Sequence, residues 1–316
     1  MTGVISSRHE PTEKVPTNPF AVPGLMRDVD PLNPVRNDVH LSLYVPVDNT
    51  EAAFARCRAE FHDPSYLVDT GRLVVVTGDR GCGKTALINR CAYWLREQLA
   101  TAGLRGEVVD VTRQARENEP MAERRAKVCK ALVDTVFQRQ LFTSELAHQM
   151  REQPDDAYFN LASCLPTDLV LIVLLPRSAD LTEELVTYAT DARARIVFFG
   201  ETSYQLPDER RQRLDQAGHA PPVFLEVGGL REHDAARFAE QRLGAVPEGE
   251  LPRVAAKALD DYTTFRRHVS IGEVQRLLYG MYEKLRVQDD RPDEVTYQHI
   301  SQHFLSIAVS LLENPR

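Results

Sequence analysis

The stretch LVVVTGDRGCGKTALINRCAYWLREQL, Leu73 to Leu99, decides the fold. Its first five residues form an apolar run without alternation, the pattern of a strand covered on both faces. After Thr85 the apolar residues recur at helical spacing. Between them lies Gly78–Thr85, GDRGCGKT, which fits GxxxxGK[ST]. Its four fixed positions recur by chance in about one chain per hundred of this length, so the strand before and the helix after make the match specific. Gly78, Gly81 and Gly83 free the backbone for positive φ, so that successive N–H groups converge on one anion. The helix starting near Lys84 turns the positive end of its dipole to the same point. Lys84 is then placed to reach the β and γ phosphates of a nucleotide, and the Thr85 hydroxyl to ligate Mg²⁺. Asp79, Arg80 and Cys82 complete the binding loop. The Asp79 and Cys82 side chains are expected to point outward, Cys82 as an inert filler rather than a thiolate.

Working outward, further runs rich in Val, Ile, Leu and Phe occur at Glu107–Val111, Leu169–Leu175, Arg195–Phe199 and Val223–Val227. They alternate with helical patterns at Ala122–Phe137, Thr182–Ala192 and Pro207–Gln216, as expected for a parallel sheet with crossover helices. Beyond Gly229 only helical patterns are read, at Glu232–Leu243, Leu251–Tyr262, Ile271–Leu285 and Val295–Leu312. The expected fold class is α/β, with a five-stranded, mainly parallel nucleotide-binding core over 41–228 and a helical lid domain over 229–316. Residues 1–40, with six prolines among polar residues, read as a flexible arm, although Phe20, Val22, Leu25 and Met26 offer apolar groups for docking.

Composition narrows the setting. The net charge of −8 disfavours nucleic acid as a partner. Five cysteines without a CxxC pair suit a reducing compartment. The opening MTGVISSRHE has no apolar core of a secretory signal, and the run Leu169–Leu175 is too short to cross a bilayer. A cytoplasmic protein without membrane insertion is expected.

With the loop, the alternating core and the helical C-terminal part in view, the chain from about Leu41 onward resembles the AAA+ and STAND group of P-loop ATPases, most closely the branch that includes origin-recognition and NACHT-like proteins. The segment LYVPVDNTEAAFARCRAEF, Leu43 to Phe61, is similar to that branch's extended stretch and helix beside the adenine. The resemblance implies base contacts by Tyr44, Val45 and Pro46; an ordinary strand-to-helix turn explains the same residues. It also implies ATP and Mg²⁺ as ligands, Thr202 as the polar sensor after the fourth strand, and a lid arginine drawn from Arg266, Arg267 or Arg276. Arg210, Arg211 and Arg213 fall where the family presents an arginine finger, but read as a solvated face balanced by Asp208, Glu209 and Asp215.

The third strand departs from the family. Its run LVLIVLLPRSAD puts Leu174, Leu175 and Pro176 where acids should hold Mg²⁺ and polarise water. Asp180 reads as an N-cap boxed with Glu183. Glu201, at the end of a neighbouring strand, is the carboxylate left to reach the γ phosphate and, with Lys84 and Thr202, completes the candidate catalytic set. Two functions follow: an ATP-dependent switch, with or without ATPase activity, acting through a protein partner or self-assembly, or a nucleotide-binding scaffold that does not hydrolyse. A DNA-binding ATPase and a small-molecule kinase find less support, since neither a domain beyond the lid nor an acceptor constellation is legible.

Overall fold

The computed structural model describes residues 15–24, 30–141, 148, 150, 154–177, 181–203, 206–266 and 268–313. Leu25, Met26, Asp180 and Arg267 lie outside this set. Five strands, β1 (Arg72–Thr77), β2 (Arg105–Asp110), β3 (Leu169–Leu174), β4 (Ile196–Thr202) and β5 (Val223–Glu226), form one parallel sheet in the order β2-β3-β4-β1-β5. Each of these five strands overlaps a run that predicts one. β4 continues three residues past Phe199, taking Gly200, Glu201 and Thr202 into the ladder opposite Val75, Val76 and Thr77.

Side-chain alternation sorts the sheet into two cores. Leu73, Val75, Val109, Leu171, Val173 and Phe198 face the helices α3 (Met121–Gln138), α4 (Pro154–Cys164) and α5 (Leu181–Asp191). Val74, Val76, Ile172, Phe199 and Leu225 face α1 (Thr50–Glu60) and α2 (Lys84–Thr101). Each of these side chains contributes about 1.5–3 kcal/mol by leaving water. Because both faces are covered, the strands carry no polar alternation. The helix α6 (Asp208–Ala217) joins β4 to β5.

The remainder holds α7 (Asp234–Leu243), α8 (Ala256–Arg266), α9 (Ile271–Leu285) and α10 (Tyr297–Glu313). The expectation that strands end at Gly229 is corrected: β6 (Arg253–Val254) and β7 (Glu294–Val295) pair in parallel inside this part. The helices predicted from Leu251 and Val295 therefore begin later, at Ala256 and Tyr297. Two-residue strands are too short for any period to show.

The expected free arm also needs revision over 15–24. Phe20 is fully buried against Phe238 and Tyr282, with ring centroids 6.0 and 5.0 Å away. Asn18 donates to the Tyr279 carbonyl at 3.0 Å and to Glu283 at 2.8 Å, and Arg242 donates to the Pro19 and Ala21 carbonyls. Val45 and Val47 join Phe20 in the core of the helical part. The chain before α1 thus straps the helical part to the α/β core. Asp48 reinforces the strap: its carboxylate accepts from the Gly228 N–H, and its own N–H donates to Asp234 at 2.7 Å.

Candidate functional site

The loop between β1 and α2 has the backbone its glycines permit. Gly78 has φ 149°, and Gly81 and Gly83 both have φ 87°. A Cβ at Gly78 would run into the Val227 carbonyl, and one at Gly81 would lie 2.6 Å from Ser270 Oγ. Gly83 caps α2 with no side-chain hydrogen bond, so the first N–H groups of α2 remain for an anion. Lys84 is buried and donates from Nζ to the Gly78 and Asp79 carbonyls at 2.7 and 2.8 Å. Its pKa is lowered by desolvation, against which the Glu201 carboxylate acts. Asp79 is exposed, as expected. Cys82 is not: it is buried in the core beneath the loop, and that burial, with Asp79 nearby, pushes its thiol up to about 11. It packs as an apolar group.

Glu201 is buried at the end of β4 on the face that carries α2. Its Oε2 accepts from the Thr85 hydroxyl at 2.7 Å, and its Oε1 is ion-paired with Arg177 Nε. Arg177 Nη2 also donates to Thr85 Oγ1 at 3.1 Å. The carboxylate bonded to the loop threonine thus comes from β4, while β3 ends in the buried Leu174, Leu175 and Pro176. Arg177 was not singled out in the sequence, where a lone arginine after proline carries no motif. At Thr85, where a Mg²⁺ ligand is expected, a guanidinium engages both the hydroxyl and the carboxylate. Among the described residues no group of three or more His, Cys, Asp or Glu side chains is arranged to hold a metal ion.

A cleft of about 850 Å³ opens above the loop, lined by Arg80, Gly81, Lys84, Thr85 and Arg177 on the core side and by Ser270, Ile271, Gly272, Glu273, Gln275 and Arg276 on the helical side. The two sides touch: Gly272 N–H donates to the Gly81 carbonyl at 3.0 Å. Ser270 and Glu273 form a capping box that starts α9 at this point. Val22, Pro31 and Leu32 of the N-terminal segment form another wall. A smaller apolar cavity of about 90 Å³, lined by Tyr44, Val45, Leu87, Phe238 and Ile271 among others, shares residues with the cleft. The Tyr44 hydroxyl donates to the Ala86 carbonyl at 2.8 Å, its ring lies under Arg90, and burial raises its pKa.

No family model matches the chain, and no curated protein is similar to it in sequence. Solved structures are similar. The Aeropyrum pernix ORC1 protein, in complex with DNA, superposes with a TM-score of 0.56 at 15% identity, over 84% of this chain and 67% of that one. The Aeropyrum pernix ORC2 protein, in ADPNP and ADP complexes, gives 0.53 at 14%, over 83% and 70%. The Drosophila ORC bound to DNA gives 0.52 at 14%, over 98% and 72%. The chain has the AAA+ P-loop NTPase fold.

Within the AAA+ fold the remaining expected residues divide. Tyr44 and Val45 line the apolar cavity; Pro46 does not, being exposed, with its carbonyl accepting from Arg237 at 2.8 Å. Thr202 is buried, but alternation along β4 puts it on the face of Phe198, opposite the one that carries Glu201 to Thr85. Arg276 lines the cleft and donates to the Gly272 carbonyl at 3.1 Å, whereas Arg266 lies over Phe304. An arginine of the helical part that was not foreseen, Arg242, also lines the cleft; it is buried, and desolvation lowers its pKa to about 10. On α6, Arg210 is exposed, Arg211 pairs with Glu226 and Arg213 with Glu183, so the balancing acids of two of these arginines come from neighbouring elements. No helix among the described residues is long and apolar enough to cross a membrane.

Proposed function

We propose that this chain binds ATP at Gly78–Thr85 and works as a nucleotide-dependent switch through a protein partner or its own assembly. The observation that carries the reading is the contact between Gly272 and Gly81, which rests the start of α9 on the phosphate loop. A triphosphate seated among Gly81, Gly83 and Lys84 meets both the core and the helical part, so its presence biases the angle between them. The cavity beside Tyr44 and Val45 supplies an apolar seat for a base.

A second reading, a nucleotide-binding scaffold that does not hydrolyse, is favoured by one specific feature. Glu201 is the carboxylate bonded to Thr85, and it is neutralised by Arg177 rather than left to orient water. Phosphate release by the purified chain, with Lys84→Ala as the blank, separates the two readings. Turnover well above the blank excludes the scaffold; a rate equal to it, from a chain that binds ATP by titration, excludes the ATPase. DNA binding is left out of the proposal because a net charge of −8 repels a phosphate backbone. An electrophoretic shift that survives physiological salt would require it to be added.

A further inference from the structure

The loop that closes β3 places a fixed positive charge beside the phosphate site. Pro176 restricts the backbone just before Arg177. Arg124, fully buried on α3, donates to the Arg177 carbonyl at 2.5 Å and is itself held by Glu184 of α5. With its backbone anchored in this way, Arg177 directs one arm of its planar fork to Glu201 and another to Thr85 Oγ1. The side chain still lines the cleft together with Lys84 and is 59% exposed.

Resting on the nucleotide-binding reading above, we infer that Arg177 takes the place of the divalent cation at this site, so that the chain binds nucleotide without Mg²⁺. Three features on different elements agree. The end of β3 and the residue after it are Leu174 and Leu175, buried, in place of metal-holding acids. The Thr85 hydroxyl gives its hydrogen to Glu201 and accepts another from Arg177, so the guanidinium takes one of the two lone pairs through which that oxygen would hold a cation. A guanidinium keeps its charge at every accessible pH and matches phosphate oxygens with paired donors, which is what a cation at this point must do. Mg²⁺ demands near-octahedral oxygen ligands and could collect Thr85 and Glu201 only after Arg177 had left.

The test is the affinity of the full chain for ATP, by titration calorimetry, in buffer with Mg²⁺ and in buffer with EDTA. The wild-type dissociation constants are expected to agree within about threefold. Arg177→Ala should bind about tenfold or more weakly in EDTA and recover on adding Mg²⁺, because Thr85 and Glu201 are then released. Arg177→Lys should fall between the two, and melting of each variant without nucleotide checks that it is folded. A loss larger than about threefold for the wild type in EDTA overturns the inference, and so does an Arg177→Ala chain that binds unchanged there. Binding that requires Mg²⁺ and is abolished by Lys84→Ala would defeat the inference alone. No binding in either buffer would defeat the nucleotide reading and the inference together.

Discussion

Replacing Glu184 by alanine removes the carboxylate paired with Arg124 among the described residues and leaves a guanidinium inside the core. The two side chains are 1% and 3% exposed, and Arg124 Nε lies 3.1 and 3.3 Å from the two carboxylate oxygens. Arg124 also donates to the Arg116 and Arg177 carbonyls, which satisfy its hydrogen bonds but not its charge. Breaking a buried pair from one side costs about 3–5 kcal/mol, because the remaining charge is uncompensated. At roughly 2 °C per kcal/mol for a chain of this size, the midpoint of melting should fall by about 6–10 °C. The pair itself is worth much less than that, since its attraction is set against the desolvation of both ions. Arg124→Met with Glu184→Leu should therefore regain most of the loss, short of the part owed to the two carbonyls that lose a donor. Urea unfolding of wild type, Arg124→Met, Glu184→Leu and the double variant forms the cycle that measures this coupling, with Glu184→Ala measured beside it. A Glu184→Ala chain destabilised by under about 1 kcal/mol, or a double variant as unstable as the sum of the singles, would refute the reasoning.

Phe20→Ala should cost about 3–5 kcal/mol in urea unfolding and expose the N-terminal segment to protease, because Phe20 is fully buried between Phe238 and Tyr282; resistance equal to wild type would mean that the strap is not held by this ring. Gly81→Ala should weaken ATP binding and lower stability by about 1–3 kcal/mol, since it adds a left-handed residue and crowds Ser270 Oγ, and an unchanged melt would contradict the docking of α9 on the loop. His303 is buried with its Nε2 unpartnered among the described residues, and its pKa is lowered below 6.5 by desolvation and then by Lys284. The folded chain therefore binds that proton less readily than the unfolded one, so stability is full above pH 6.5 and declines as pH falls below it. His303→Phe should flatten this decline in urea midpoints measured from pH 7.5 to 5, and an identical slope would assign the acid loss to other groups.

The sheet was legible because its strands are buried on both faces and so appear as unbroken apolar runs; Leu169–Leu174 needs nothing beyond its six residues to be recognised. The loop was legible because positive φ at Gly78, Gly81 and Gly83 admits glycine most readily. What escaped depends on tertiary contact. Phe20 sits among prolines, and nothing local announces that Phe238 and Tyr282 form its pocket. Arg177 gains its role from Glu201, which is 24 residues later in the chain and one strand over. Cys82 occupies a variable position of the loop pattern, so its inward turn into the apolar core follows from packing alone. The β6–β7 pair, at two residues a strand, was too short to foresee, and α4 was not foreseen either. Val45 and Val47 precede α1 in sequence yet pack with α9, because the strap crosses to the helical part.

The central claim is that Gly78–Thr85 holds the phosphates of ATP. Titration of ATP into the full-length chain, beside the Lys84→Ala variant at matched stability, tests it most directly. The account predicts saturable one-to-one binding by the wild type and a loss of about tenfold or more on removing the Lys84 ammonium. Equal binding by the two chains, or none by the wild type, would contradict it.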